Sequence, residues 1–384
     1  MSSSSRARLP SLTGLRFWAA LLVVLYHLSR QLGPLPGIGP LVWYGRSGVT
    51  FFFVLSGFVL AWTYDAAEVG AVRFYRRRLA RIWPLHALTT ALSLAAYAAI
   101  GATVPVGAAL WSLLLVHPWV QDLAKGGNPA SWSLGDEAWF YLLLPGLLAL
   151  LRGRARLWLP LALLCAAAGP ALWWSGSLTH DTALRWWLLD YLPLSRTPQF
   201  VLGVLAGLAV RRGRLPRLRA RWWAAALVGW HLLLVPWSQA AGDDRWYGPY
   251  SAAQLGPAVL FAGLITAVAQ RDLARAPGLL GSRWAVRLGH WSYAWYLVQE
   301  IVLRLWLHRF GQPSPGPATA AVWLLLTALT LAVAALLHHT VEVPCERRLR
   351  GGRATPPATG VPAARGREEH GEDQLASSLS SRLR

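Results

Sequence analysis

Up to about residue 340 the chain offers one apolar stretch after another, each close to twenty residues long and parted from the next by a short polar or basic connection. A helix crossing a hydrocarbon core of about 30 Å needs roughly 20 predominantly apolar residues. Only helices and closed barrels satisfy every backbone group in lipid, so such a pattern restricts the chain to a bundle of spanning helices. Candidate spans run over 16–32, 48–64, 82–100, 136–151, 157–174, 197–210, 222–237, 253–269, 289–307 and 318–338. The stretch 106–118 is also apolar, but it is short and bounded by Pro105 and Pro118, as a re-entrant or interfacial segment would be. The expected fold class is therefore an all-α integral membrane protein with about ten transmembrane helices.

Charge gives that bundle a direction. With residues 1–15 cytoplasmic and 106–118 not spanning, the connections on the cytoplasmic side hold 28 Lys or Arg, the opposite loops hold 6, and three arginines lie within spans. This is the positive-inside pattern, and it predicts a multi-pass protein of the cell membrane with both termini cytoplasmic. Counting 106–118 as a span would turn the run Arg211–Arg221 outside and break the pattern. A net charge of +20 in a soluble chain would point to nucleic acid, but 55% hydrophobic residues and 23 tryptophans argue against a soluble domain. The arginines read as topology signals, and no nucleic-acid partner is expected. Met1 to Leu28 has the basic and apolar parts of a signal peptide, yet no small-residue cleavage site follows, which reads as a retained first helix. From Gly351 the composition turns to Pro, Gly, Arg and Glu, so residues 1–350 are expected to form the membrane domain and 351–384 a disordered cytoplasmic tail.

Ionisable residues inside apolar helices are costly and mark functional sites by default. Arg16 and His27 are eleven residues apart on the first helix. At 100° per residue they share a face and stand about 16 Å apart along the axis. A neutral imidazole can take the proton of an attacking hydroxyl, the general-base role that acyl transfer requires. The bland alternative is a helix-contacting His27 and a snorkelling Arg16. The segment from Arg73 to Pro84 carries Arg78 and Arg81 on one helical face, suited to phosphate oxygens, although the positive-inside rule also accounts for basic residues there. In Ser131-Trp132-Ser133-Leu134-Gly135-Asp136-Glu137, Ser133 and Asp136 resemble a capping box, which leaves Glu137 unexplained. That carboxylate could orient His27, stabilise its protonated form or hold an acceptor hydroxyl.

The remaining polar residues suit structural roles. Glu300 and Arg304 are at ion-pairing spacing, His231 is expected to be a satisfied helix contact, and Gly45, Gly48 and Gly57 suit close helix packing. Cys165 and Cys345 support neither a disulfide framework nor a cysteine metal site. Histidines and carboxylates do not cluster at ligand spacing, so no metal is expected, and a Walker loop and dinucleotide fingerprint are absent.

Taken together, these segments resemble the acyltransferase-3 family of membrane O-acyltransferases over most of residues 9–350. Leu12-Thr13-Gly14-Leu15-Arg16 through Tyr26-His27 looks like its Arg, ten residues, His signature, and Gly48–Phe58 looks like its second helix. Arg78 and Arg81 match its paired arginines, and Trp132-Ser133-Leu134 through Glu137 and Phe140-Tyr141 match its Ser and Glu motif. Leu288-Gly289, Ser292-Tyr293, Tyr296-Leu297 and Val341-Glu342-Val343-Pro344 resemble its late blocks. The resemblance implies a ten-helix enzyme that takes an acyl group, often acetyl, from acyl-CoA (acetyl-CoA) and places it on a hydroxyl of a carbohydrate or of a glycosylated or macrolide-type secondary metabolite. It implies His27 as base, Glu137 and Ser133 as further catalytic residues, and Arg16, Arg78 and Arg81 as donor-binding residues. Gln299 stands where many members have a histidine, and no hydrolase-like domain follows the last span. The competing class is a transporter or flippase of a glycan or lipid-linked solute, which would also use intramembrane charge. Against it, the chain has no internal repeat and no broken helices in matching halves.

Overall fold

The computed structural model describes residues 7–64, 70–102, 106–242, 248–276 and 278–349. Among these residues the regular structure is entirely helical: α1 Pro10–Leu32, α2 Gly39–Val42, α3 Ser47–Thr63, α4 Ala71–Ala99, α5 Val106–Leu113, α6 Trp132–Leu151, α7 Trp158–Ser177, α8 Thr182–Trp186, α9 Pro193–Arg211, α10 Ala220–Ala240, α11 Gly248–Leu255, α12 Ala258–Leu273, α13 Arg283–Phe310, α14 Pro317–Leu337 and α15 Val343–Leu349. Nine of the candidate spans each fall on one long helix, and 253–269 crosses the break between α11 and α12. Five helical stretches are long and apolar enough to cross a membrane: 10–32, 129–151, 155–177, 248–273 and 317–349. The expected tail, 351–384, lies outside the described residues.

The outer surface explains why the composition is so apolar. α7 and α14 each turn one row of large side chains away from the protein, with Leu163 61% and Leu324 74% exposed. A water-soluble surface does not carry apolar faces of this extent, whereas lipid favours them. Polar side chains such as Thr50, Asn128, Asp190 and Arg196 are buried inside the bundle instead.

Glycine sets how closely the inner helices approach. A Cβ added at Gly289 of α13 would lie 1.9 Å from the Thr13 carbonyl oxygen of α1, and one at Gly14 would lie 2.0 Å from that of Leu280. Similar contacts join α3 to α9, where Gly57 faces Phe200 and Gly203 faces Val54. Small residues let backbones meet in this way, the role expected for Gly48 and Gly57. Gly45 and Gly48 likewise lie against the Leu22 and Ala19 carbonyls of α1. The start of α1 is tied down by Asp272 of α12, which accepts from the Ser11 amide at 2.8 Å and from its hydroxyl at 2.6 Å. His231 is satisfied as expected, between Ser47 Oγ and the Leu227 carbonyl, each at 2.8 Å.

The segment after α5 departs from the simple picture. Instead of crossing outside the bundle, the chain turns into it: His117, Asn128 and Ser131 are fully buried. Asn128 Nδ2 donates to the Leu297 carbonyl at the midpoint of α13, at 2.9 Å. Consequently α6 begins deep inside the protein rather than at its surface. Asn128, not Ser133, supplies the cap, its Oδ1 accepting from the Ala130 amide at 3.2 Å. The capping-box expectation fails because the helical turn has already begun at Pro129–Ser131.

Candidate functional site

Two polar clusters line the interior, near opposite ends of the bundle, and α1 connects them. The first sits toward the end where the basic connections lie. Arg16 Nε donates to Ser292 Oγ of α13 at 3.2 Å, and its guanidinium stands 5.7 Å over the Phe52 ring. The charges acting most on Arg16 are those of Arg81, Glu137 and Glu342, in that order. Arg81 in turn feels Tyr141, Glu346, Glu342 and Glu137, and Arg78 lies over Phe74 at 5.9 Å and acts on Tyr141. Arg16, Arg78 and Arg81, drawn from α1 and α4, thus share one polar cluster. Glu137 belongs to this group too, accepting from Tyr141 Oη and, at 3.4 Å, from Ser56 Oγ.

This position sets Glu137 at the level of Arg16, and its charge is not among those acting most on His27. Because α6 starts inside the bundle, its second turn has already reached the level of Arg16. The leading charge on His27 is instead that of Glu300, followed by Arg30, Arg46 and Arg304. Glu300 is paired with Arg304 at 2.6 Å, as the spacing suggested. The buried Nδ1 of His27 meets no hydrogen-bond partner among the described residues. An imidazole with an uncommitted ring nitrogen offers the lone pair a general base needs, and of the charges acting on it only that of Glu300 favours the protonated form. Ser133 is buried between the two levels, its hydroxyl donating to Tyr296 Oη at 2.9 Å. That bond gives Ser133 no base to take its proton.

The second cluster was not visible in the sequence. Arg46, buried just before α3, donates to Tyr250 Oη at 2.6 Å and lies 3.7 Å from Asp190. Asp190 also pairs with Arg196 at 3.3 Å, and Arg196 donates to Gln254 Oε1 at 2.8 Å. Tyr250 hydrogen-bonds Tyr26, the residue before His27. These side chains come from loops and helix ends spread over 200 residues, and each alone reads as an ordinary loop charge. Arginine before an apolar helix, on the side where basic residues are scarce, was the one available signal.

The comparisons with known proteins agree with this architecture. A family model described as an acyltransferase domain, acyltransferase 3, matches residues 9–339. Acyltransferase MdmB of Streptomyces mycarofaciens is 34% identical over 385 residues, covering 92% of this chain and 95% of that protein. Among solved structures none matches the chain. With matched residues running from the first helix to the end of the last long one, the chain belongs to the acyltransferase-3 family.

Proposed function

We propose that the protein is an acyl-CoA-dependent O-acyltransferase that moves an acyl group, acetyl in the first instance, onto a hydroxyl of a carbohydrate or of a glycosylated or macrolide-type metabolite. The observation that carries this reading is His27, with its uncommitted Nδ1 and the Glu300 charge acting on it, on the same helix as Arg16. Three turns separate the two residues, about 16 Å along the axis, a length suited to an extended thioester arm. The donor phosphates lie against Arg16, Arg78 and Arg81, and the thioester reaches His27.

The acceptor hydroxyl then attacks the thioester carbonyl while His27 takes its proton. The C–O bond forms, the C–S bond breaks, and the departing thiolate recovers the proton from the imidazolium. Glu300 offsets the positive charge that His27 carries between these steps. Direct attack is favoured over a covalent intermediate on Ser133, whose hydroxyl is engaged by Tyr296. In the membrane the bundle has ten spans, with the arginine cluster and both termini at the cytoplasmic face, as the distribution of basic residues supports.

The test is release of free thiol from acetyl-CoA by purified protein in liposomes, with and without hydroxyl acceptors. Wild type is expected to release thiol only with acceptor, and His27→Ala to lose about 10²–10⁴ of the rate. A His27→Ala protein working near the wild-type rate would overturn the base assignment.

A further inference from the structure

Two members of the second polar cluster, Arg46 and Tyr250, line a pocket of about 430 Å³ at the end of the bundle opposite the basic connections. Its walls include Trp186, Trp187, Tyr191 and Tyr250, and its rim carries Arg30, Gln121, Asp122 and Lys125. Nothing in the donor side of the reaction uses this space. We propose that it is the acceptor site and that it takes a sugar ring, the rest of the acceptor remaining outside. This rests on the acyltransferase reading above and adds where, and by which chemical group, the acceptor is held.

Position is the first argument. Arg30 follows His27 by three residues, so the pocket rim lies about 4.5 Å further along the same face of α1. Tyr250, on the pocket wall, is bonded to Tyr26. The pocket and the arginine cluster therefore flank His27 from opposite directions, and two substrates arriving from the two ends meet at that residue.

Lining is the second. A sugar ring offers flat C–H faces and a girdle of hydroxyls, and it needs aromatic surfaces alongside planar donors and acceptors. Trp186 packs edge-on against Tyr250 at 4.9 Å, and Lys125 lies 5.2 Å over Tyr191. An apolar body without hydroxyls would bury the rim charges without partners, at a cost. A phosphate group would meet Asp122 among the cations. The volume falls toward the lower end of the roughly 300–1,000 Å³ of ligand pockets, room for one part of a large acceptor.

Rigidity is the third. The Arg46 guanidinium is enclosed by Trp186, Tyr191 and Tyr250 at 5.9, 5.7 and 4.9 Å from the ring centroids, with Asp190 and Arg196 behind it. Held in this way, Arg46 is in place before any ligand arrives, which lowers the entropy cost of binding.

Trp186→Ala and Lys125→Ala proteins test the proposal, the latter because an exposed rim lysine can be removed without disturbing the fold. With a macrolide glycoside as acceptor, each variant is expected to raise the acceptor KM about tenfold while the acetyl-CoA KM stays within about twofold, the mark of lost acceptor binding alone. Unchanged acceptor KM in both variants would overturn the pocket assignment and leave the transferase reading intact. In parallel, saturation-transfer NMR of a simple methyl glycoside should show contact with wild type and lose it in Trp186→Ala. Contact without any thiol release from acetyl-CoA would refute the transferase reading but keep the pocket. Equal binding of the sugar-free macrolide body would refute the sugar assignment.

Discussion

Replacing Gly289 by alanine tests whether the α1–α13 contact sets the geometry of the reaction. The new Cβ would lie 1.9 Å from the Thr13 carbonyl oxygen and 2.6 Å from its carbon, both backbone atoms. Real Cβ contacts keep at least 3.0 Å, so the two helices must part by about 1 Å. Overpacking of this kind costs about 1–3 kcal/mol of stability. The larger consequence is positional, since α1 carries Arg16 and His27 while α13 carries Ser292, which is bonded to Arg16, and Glu300, whose charge acts on His27. A displacement of 1 Å at a reacting group costs about 10²-fold in rate, so Gly289→Ala should lower kcat by about that factor. Gly146→Ala and Gly229→Ala are the controls, because a Cβ there meets nothing within 4 Å. They should stabilise their helices by about 0.5–1 kcal/mol and leave kcat alone. The assay is acceptor-dependent thiol release in liposomes well below the melting temperature of every variant, beside thermal unfolding in detergent. A Gly289→Ala enzyme turning over as fast as the two controls would refute the argument.

Two further outcomes follow from the interior polar groups. Glu300→Gln keeps the shape of the side chain and removes its charge, so kcat should fall by about 10²-fold with the acetyl-CoA KM unchanged; an equal rise in that KM with kcat unchanged would refute the role given to Glu300. Asp272→Ala removes both acceptors from the start of α1 and should cost about 1.5–3 kcal/mol by thermal unfolding, with kcat little changed at low temperature. Loss of less than about 0.5 kcal/mol, the range of a neutral surface change, would show that the Ser11 contacts are dispensable.

How much of this was legible in the sequence depended on whether the signal was local. Helix positions follow from apolar length, and Arg16 with His27 from the helical repeat, so both survive in the structure. The glycines of α3 were also legible, because close packing demands the smallest side chain wherever it occurs. The level of Glu137 was not legible because its depth depends on where α6 begins, and that is set by a bond between Asn128 and Leu297, two residues with no local relation. Glu300 was legible as a partner of Arg304 but not as a neighbour of His27, since that proximity depends on the register between α1 and α13. The cluster of Arg46, Asp190, Arg196 and Gln254 lay beyond reach for the same reason: its members are polar residues whose meaning arises only where the chain brings them together.

The buried segment leading into α6 also bears on how the protein is made. Irregular backbone at membrane depth survives only when protein surrounds it. Asn128 finds its carbonyl partner 169 residues later, on α13. During synthesis, therefore, the ribosome must deliver nearly the whole chain before this segment has its final shelter. Until then Ser133 lacks Tyr296 and His27 lacks Glu300. A chain stopped short of α13 therefore holds the Asn128 segment without the carbonyl that anchors it.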